Sequence, residues 1–131
     1  MVISKTPYRV SFFGGGTDYP NWYLHNGGAV ISTTIDKYCH INCRYLPPFF
    51  SHKYLIRWSQ IEMVNSISEI EHPSIHACLD FLDINEGVSI VHDGDLPARS
   101  GMGSSSSFNV GMLNALYSML RQPCSKENLL Q

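Results

Sequence analysis

Asp95-Leu-Pro-Ala-Arg-Ser-Gly-Met-Gly-Ser-Ser-Ser-Ser107 lies between two segments with different periods. Before it, Val88 to His92 reads as a short strand. After it, Phe108, Met112, Leu113, Leu116 and Leu120 recur at the spacing of one helix face. The stretch is therefore a strand-to-helix loop, running from Leu96 to Ser107. Gly101 and Gly103 let its backbone turn sharply and let an oxygen-rich ligand approach the peptide N–H groups. The first amides of the following helix have no intrahelical partner, and the helix dipole leaves positive potential there. These features describe an anion site of the kind that holds nucleotide phosphates. Serine hydroxyls in the same place can bond phosphate oxygens or ligate Mg²⁺, a hard cation that prefers oxygen. Neither the G-x-x-x-x-G-K-[ST] loop nor the G-x-G-x-x-G fingerprint occurs. The plain alternative is a serine-rich helix cap on a flexible glycine turn, and the stretch by itself does not separate the two.

A second constellation stands near the amino terminus, Thr6-Pro-Tyr-Arg-Val-Ser-Phe-Phe-Gly-Gly-Gly-Thr-Asp-Tyr-Pro20. It combines Arg9, on a strand, with a glycine loop and Asp18. An arginine stabilises charge developing on a transferring phosphoryl group. A carboxylate accepts hydrogen bonds from sugar hydroxyls. Singly, the commoner fates are a surface arginine and a helix-capping aspartate.

Around these segments, Val2–Ile3 and Tyr8–Phe13 read as strand pieces interrupted at Thr6–Pro7, and Gly14–Gly16 breaks the strand. A short helix opens at Asp18–Pro20, runs through Leu24 and ends at Asn26–Gly28. Ala29–Ile35 and Tyr38–Tyr45 read as a hairpin turning at Asp36–Lys37, and Lys53–Trp58 as a further strand. Pro73 opens a helix with Ile75, Cys78, Leu79 and Leu82 on one face. Pro123 stops the helix that follows the loop, and Ser125 is placed to cap another. Strands early and helices late imply an α+β domain, with helices on one face of a mixed or antiparallel sheet.

Composition bounds the function. The 131 residues suit one domain. Nine basic against eleven acidic residues, a net charge of −2, with 44% hydrophobic residues, exclude disorder and a surface made to coat nucleic acid or an anionic membrane. No apolar run approaches the roughly 20 residues of a membrane helix, and the start carries no signal-peptide pattern. A soluble cytoplasmic domain is expected. Cys39, Cys43, Cys78 and Cys124 show no C-x-x-C spacing and read as small buried hydrophobes or reduced thiols.

Taken together, the two glycine segments resemble the first two motifs of the GHMP kinases. Pro7-Tyr-Arg-Val-Ser-Phe-Phe-Gly-Gly-Gly-Thr-Asp18 is similar to the substrate-side first motif, and Leu96-Pro-Ala-Arg-Ser-Gly-Met-Gly-Ser-Ser105 to the ATP-binding second motif. Two motifs in order, about 80 residues apart, are far more specific than either alone. Within the superfamily, Gly14–Pro20, Gly27–Ile31 and Thr34–Tyr38 most resemble the bacterial D-glycero-D-manno-heptose 7-phosphate kinases. The resemblance implies the ribosomal-protein-S5-domain-2-like amino-terminal fold. It makes residues 1–131 one ATP-binding amino-terminal domain without its carboxyl-terminal partner, about the first 40% of a member's usual length. It also implies transfer of the γ-phosphoryl group of ATP, with Mg²⁺, to a hydroxyl of a sugar or sugar phosphate, a heptose 7-phosphate in particular. Arg9 takes the place of the basic residue that supports the nucleophilic hydroxyl and the developing phosphate charge. Gly16, Thr17, Asp18 and Tyr19 fall on the sugar side. Pro97, Ser100, Gly101, Met102, Gly103, Ser104, Ser105 and Ser106 fall on the ATP side, and Ser105 matches the serine that ligates Mg²⁺.

The departures are specific. Gly15 and Gly16 stand where galactokinase has Glu and His, so galactose is a poor fit. Arg99 occupies a place where heptose kinases usually carry a small residue, and reads either as an added phosphate contact or as an exposed variation of no consequence. Met102 replaces the usual leucine, of similar volume. The family's catalytic aspartate, acidic Mg²⁺ partner and third motif lie downstream of the second motif, beyond this chain. Three readings follow. The chain is the amino-terminal part of a sugar kinase, with little turnover alone. Or it is a non-catalytic nucleotide- or sugar-phosphate-binding module, or half of a split enzyme. Or it is a partial fold that self-associates through exposed core surface.

Overall fold

The computed structural model describes residues 1–122, 124 and 125. The readings of Pro123 as a helix stop and of a helix beyond Ser125 fall outside them. In chain order the elements are β1 (Val2–Phe12), α1 (Pro20–Asn26), β2 (Ile31–Tyr45), β3 (Tyr54–Arg57) and β4 (Ile61–Val64). A 3₁₀ turn (Ile67–Glu69), α2 (Pro73–Phe81), β5 (Val88–Gly94) and α3 (Ser104–Met119) complete them. The strands form one sheet in the order β1-β2-β5-β3-β4, antiparallel except where β3 runs parallel to β5. The α+β class with a mixed sheet is as the pattern implies.

Period-two burial builds the core face. Cys39, Ile41 and Cys43 of β2 are closed off, while the residues between them face the other side. Tyr54 and Ile56 of β3 and Val88 and Ile90 of β5 continue that face. Ile75 and Leu79 of α2, with Met112, Ala115 and Leu116 of α3, cover it. Helix α3 comes so close to β1 that a Cβ built on Gly111 would lie 2.6 Å from Thr6 Oγ1.

Two expectations are corrected. β1 is not interrupted at Thr6–Pro7: it runs unbroken, with its register against β2 shifting between Pro7 and Arg9. β1 is an edge strand, where a proline without an N–H is tolerated, above all beside a bulge. Nor do Ala29–Ile35 and Tyr38–Tyr45 form a hairpin. They are one strand, because each half pairs with β1 rather than with the other. Ile35, Asp36 and Lys37 stand opposite Tyr8 alone, between the pairs Pro7–Tyr38 and Arg9–Thr34. A short polar dipeptide suits a bulge as well as a turn, and the partner strand decides which forms.

β2 outruns its neighbour. It pairs with β5 only from Cys39 to Tyr45, so Ile31–Thr34 and Arg9–Phe12 project as a two-stranded ribbon. The ribbon's end carries the glycine loop and α1. Sequence periodicity missed β4, a strand of four residues in which only Glu62 is buried.

Candidate functional site

The bulge in β1 is where the two glycine segments meet. The Arg9 N–H donates to the Met102 carbonyl at 3.1 Å, and the Pro7 carbonyl accepts from the Ser107 hydroxyl at 2.9 Å. Backbone groups flanking the register shift are thus taken up by the loop and the head of α3, which joins segments nearly a hundred positions apart. Ser107 is itself buried.

The helix begins at Ser104, four residues earlier than its apolar face suggests, so the serine run forms its first turn. Gly103 is the capping residue, at φ +68 in the left-handed region, and Gly101 has φ +75. Glycine adopts such values without the strain that a Cβ brings. The first intrahelical bond runs from the Ser107 N–H to the Gly103 carbonyl, 2.9 Å. The amides of Ser104, Ser105 and Ser106 precede it and lie at the positive end of the helix dipole. The Ser100 hydroxyl is buried without a hydrogen-bond partner. A Cβ on Gly103 would lie 3.0 Å from Arg9 Cγ and 3.2 Å from its Nε, so the arginine side chain lies directly against the cap.

A cleft of about 540 Å³ opens there, lined by Arg9, Ser11, Gly14, Gly15, Asp18, Arg99, Gly101, Gly103, Ser104 and Ser105. Asp18 is held by its own N–H, which donates to the Gly15 carbonyl at 3.0 Å. Of the residues singled out in the sequence, the fold brings Arg9, Asp18, Gly101, Gly103, Ser104 and Ser105 to this cleft. Pro97, Ser100, Met102 and Ser106 belong to the same loop and helix turn without lining it. Thr17 lies on the far side of the glycine loop, its hydroxyl donating to the Ala29 carbonyl at 3.2 Å. Gly16 lines a separate surface hollow with Phe12, Phe13, Thr17 and Ile31, and a Cβ there would meet nothing within 4 Å. Tyr19 precedes α1 and is 69% exposed, away from the cleft.

A second cavity, of about 280 Å³, adjoins the first and escaped the sequence reading. Its walls are Tyr8, Trp58, His72, His92, Leu96 and Phe108, and it shares Arg99, Ser104 and Ser105 with the cleft. Here the rings interlock. Trp58 meets His72 edge-on at 4.9 Å, His72 stacks on Phe108 at 5.0 Å, and His92 meets Phe108 edge-on at 4.9 Å. Trp58 is fixed by its indole N–H donating to Glu62 Oε1 at 2.8 Å, and Glu62 Oε2 accepts from the Glu71 amide at 2.7 Å. His72 Nδ1 accepts from the Ile75 amide at the head of α2, which leaves Nε2 as the protonated nitrogen of the neutral ring. Burial pushes His72 below its ordinary value, against the pull of Glu62. Burial, then the neighbouring His72, does the same to His92, against the pull of Asp93. These four rings come from four separate elements and loops, so no local spacing could have flagged them.

Among the described residues no group of three or more His, Cys, Asp or Glu side chains is placed to hold a metal ion. Also among them, no helix is long and apolar enough to cross a membrane.

The family model described as the GHMP kinases N terminal domain matches residues 57–131, more than half of the chain. The chain belongs to the GHMP kinase family. Solved structures agree on the fold. A D-glycero-D-manno-heptose 1-phosphate kinase from Bacteriodes thetaiotaomicron superposes with a TM-score of 0.82 at 23% identity, over 98% of this chain and 45% of that one. The mevalonate kinase of Methanococcus jannaschii gives 0.70 at 21% identity, over 97% of this chain and 43% of that one. The Streptococcus pneumoniae phosphomevalonate kinase, solved with phosphomevalonate and AMPPNP, gives 0.70 at 18%, over 98% and 40%. The chain thus spans less than half the length of each of these kinases. No curated protein matches it in sequence.

Proposed function

We propose that this domain is the nucleotide-holding part of an ATP-dependent kinase that phosphorylates a hydroxyl of a sugar phosphate, with a heptose phosphate as the acceptor. The observation that carries the reading is the shared cleft: Arg9 and Asp18, from the amino-terminal segment, line the same space as Gly101, Gly103 and the first turn of α3. Phosphates of ATP fit that first turn, where unpartnered amides and the helix dipole favour an anion. A cap too tight for a Cβ agrees with an oxygen-rich ligand close to the backbone. The aromatic cavity next to it suits the flat faces of a nucleobase.

In this reading the Arg9 guanidinium faces the phosphoryl group in transit and offsets its charge. Asp18 accepts from acceptor hydroxyls and orients the one that attacks. The Ser105 hydroxyl would hold Mg²⁺, a hard cation that prefers oxygen ligands. That metal would screen the phosphate charges when bound. Most of the catalytic effect then comes from alignment and charge stabilisation. A cytoplasmic setting follows from the substrates. Asp18 is the one carboxylate lining the cleft, which favours binding without turnover by this chain alone, as in a split enzyme.

Titration calorimetry with Mg²⁺–ATP tests the reading. Wild-type chain should bind, and Gly103→Val, strained at φ +68 and driven into Arg9, should not. Equal binding by the two, or none by wild type, refutes it.

A further inference from the structure

The seam between the two cavities is narrow in membership: Arg99, Ser104 and Ser105 line both, and no other residue does. Ser104 and Ser105 stand at the head of α3, where the first amides lack intrahelical partners, and Arg99 adds a positive charge to the same seam. Among the described residues neither Arg9 nor Arg99 has an ion-pair or side-chain hydrogen-bond partner; the ion pair found there joins Arg57 to Asp93. The lining of the cleft therefore carries two arginines against the single carboxylate of Asp18. Arg99 also holds φ +62, a conformation that glycine or asparagine takes more readily than arginine. Backbone preference does not account for an arginine at this place.

We propose that Arg99 is a nucleotide-binding residue that clamps the middle of the polyphosphate chain against the first turn of α3. The inference rests on the reading of the two cavities as one nucleotide site. A ligand with its base among Trp58, His72 and Phe108 and its terminal phosphate beside Arg9 has to cross the seam between Arg99 and Ser104–Ser105. What crosses there is the diphosphate segment, common to ADP and ATP. A planar guanidinium is matched to two phosphate oxygens at once. Arg99 therefore distinguishes nucleotides by the number of phosphates, not by the base.

The test compares wild type with Arg99→Gly and Arg99→Asn, because both replacements accept the left-handed backbone and remove the charge. Affinities for adenosine, AMP, ADP and ATP with Mg²⁺ are measured by calorimetry, and thermal midpoints alongside. A charge-assisted bond of ordinary strength corresponds to about a tenfold loss. Both variants should bind ADP and ATP about tenfold more weakly, leave adenosine unchanged, and melt no lower than wild type. ATP and ADP bound as tightly by the variants as by wild type would overturn the role of Arg99 while leaving the nucleotide site standing. An equal loss for adenosine and ATP would overturn it too, since that pattern belongs to a disturbed loop. If wild type binds none of the four, the site reading fails and the inference with it.

Discussion

Between Cys39 and Cys43, β2 has a strand on either side, and Cys39, Ile41 and Cys43 are sealed beneath the helices. Between Ile31 and Thr34 the same strand has only β1 beside it, and every residue is exposed. The exposed half is no less apolar in kind: Phe12, Val30 and Ile31 lie on or next to it, and α1 at its end buries no residue at all. Burial here depends on how many layers meet at a position. The sealed half supports itself by packing. The ribbon is held by its own ladder and by the two bonds that tie the β1 bulge to the glycine–serine loop and the head of α3. Candidate site residues come from Arg9 at the ribbon's base, from the glycine loop beyond its end, and from the loop and first turn of α3, where a ligand has access.

Four substitutions or conditions probe that contrast, from the most to the least damaging. Leu116→Ala, at a position with no exposure, should lower the free energy of unfolding by about 2–5 kcal/mol in urea denaturation. A loss under about 1 kcal/mol would mean the helix–sheet core is not the stabilising half. Gly111→Ala should follow. Alanine is the better helix former by about 1 kcal/mol, but its Cβ would meet the stiff Thr6 side chain at 2.6 Å. Overpacking of this kind costs about 1–3 kcal/mol, so a net loss is expected, and a stabilised variant would show that α3 can ride up off β1.

A third probe is pH. His72 and His92 are held below the ordinary value of 6.5, chiefly by burial. The unfolded chain then takes up protons that the folded chain refuses, so stability rises with pH through this window and is lost as pH falls below it. Urea midpoints should drop between about pH 7 and pH 5.5, and the drop should flatten in the His72→Gln, His92→Gln double variant. An unchanged slope would place the aromatic cavity in the solvated half of the molecule. The smallest effect belongs to α1: Trp22→Ala should shift stability by no more than about 0.5 kcal/mol. A loss above about 1 kcal/mol would show that α1 is packed after all, and the contrast would fail.

Thiol chemistry follows the same division. Burial raises Cys39 to about 11 and Cys78 to about 11, and burial together with the neighbouring Cys78 raises Cys43 to about 12. All three stay protonated near neutrality and act as small apolar groups, as their spacing suggested.

What sequence could show was local. The glycine pair with its serine run, the period of α3 and the Pro73 start of α2 each depend on residues within a few positions of one another, and each forms about where the pattern puts it. The order of the two motifs and the residue types within them were enough to point to the family. Pairing was not local. Whether Asp36–Lys37 turns or bulges, and whether Pro7 ends a strand or sits within an edge, depends on which strand lies alongside. The same holds for the seam at Arg99 and for the ring cluster of Trp58, His72, His92 and Phe108, assembled from four stretches of chain. Those contacts exist because the sheet and α3 bury one continuous apolar face, and the free energy of that burial belongs to all the layers together rather than to any one segment.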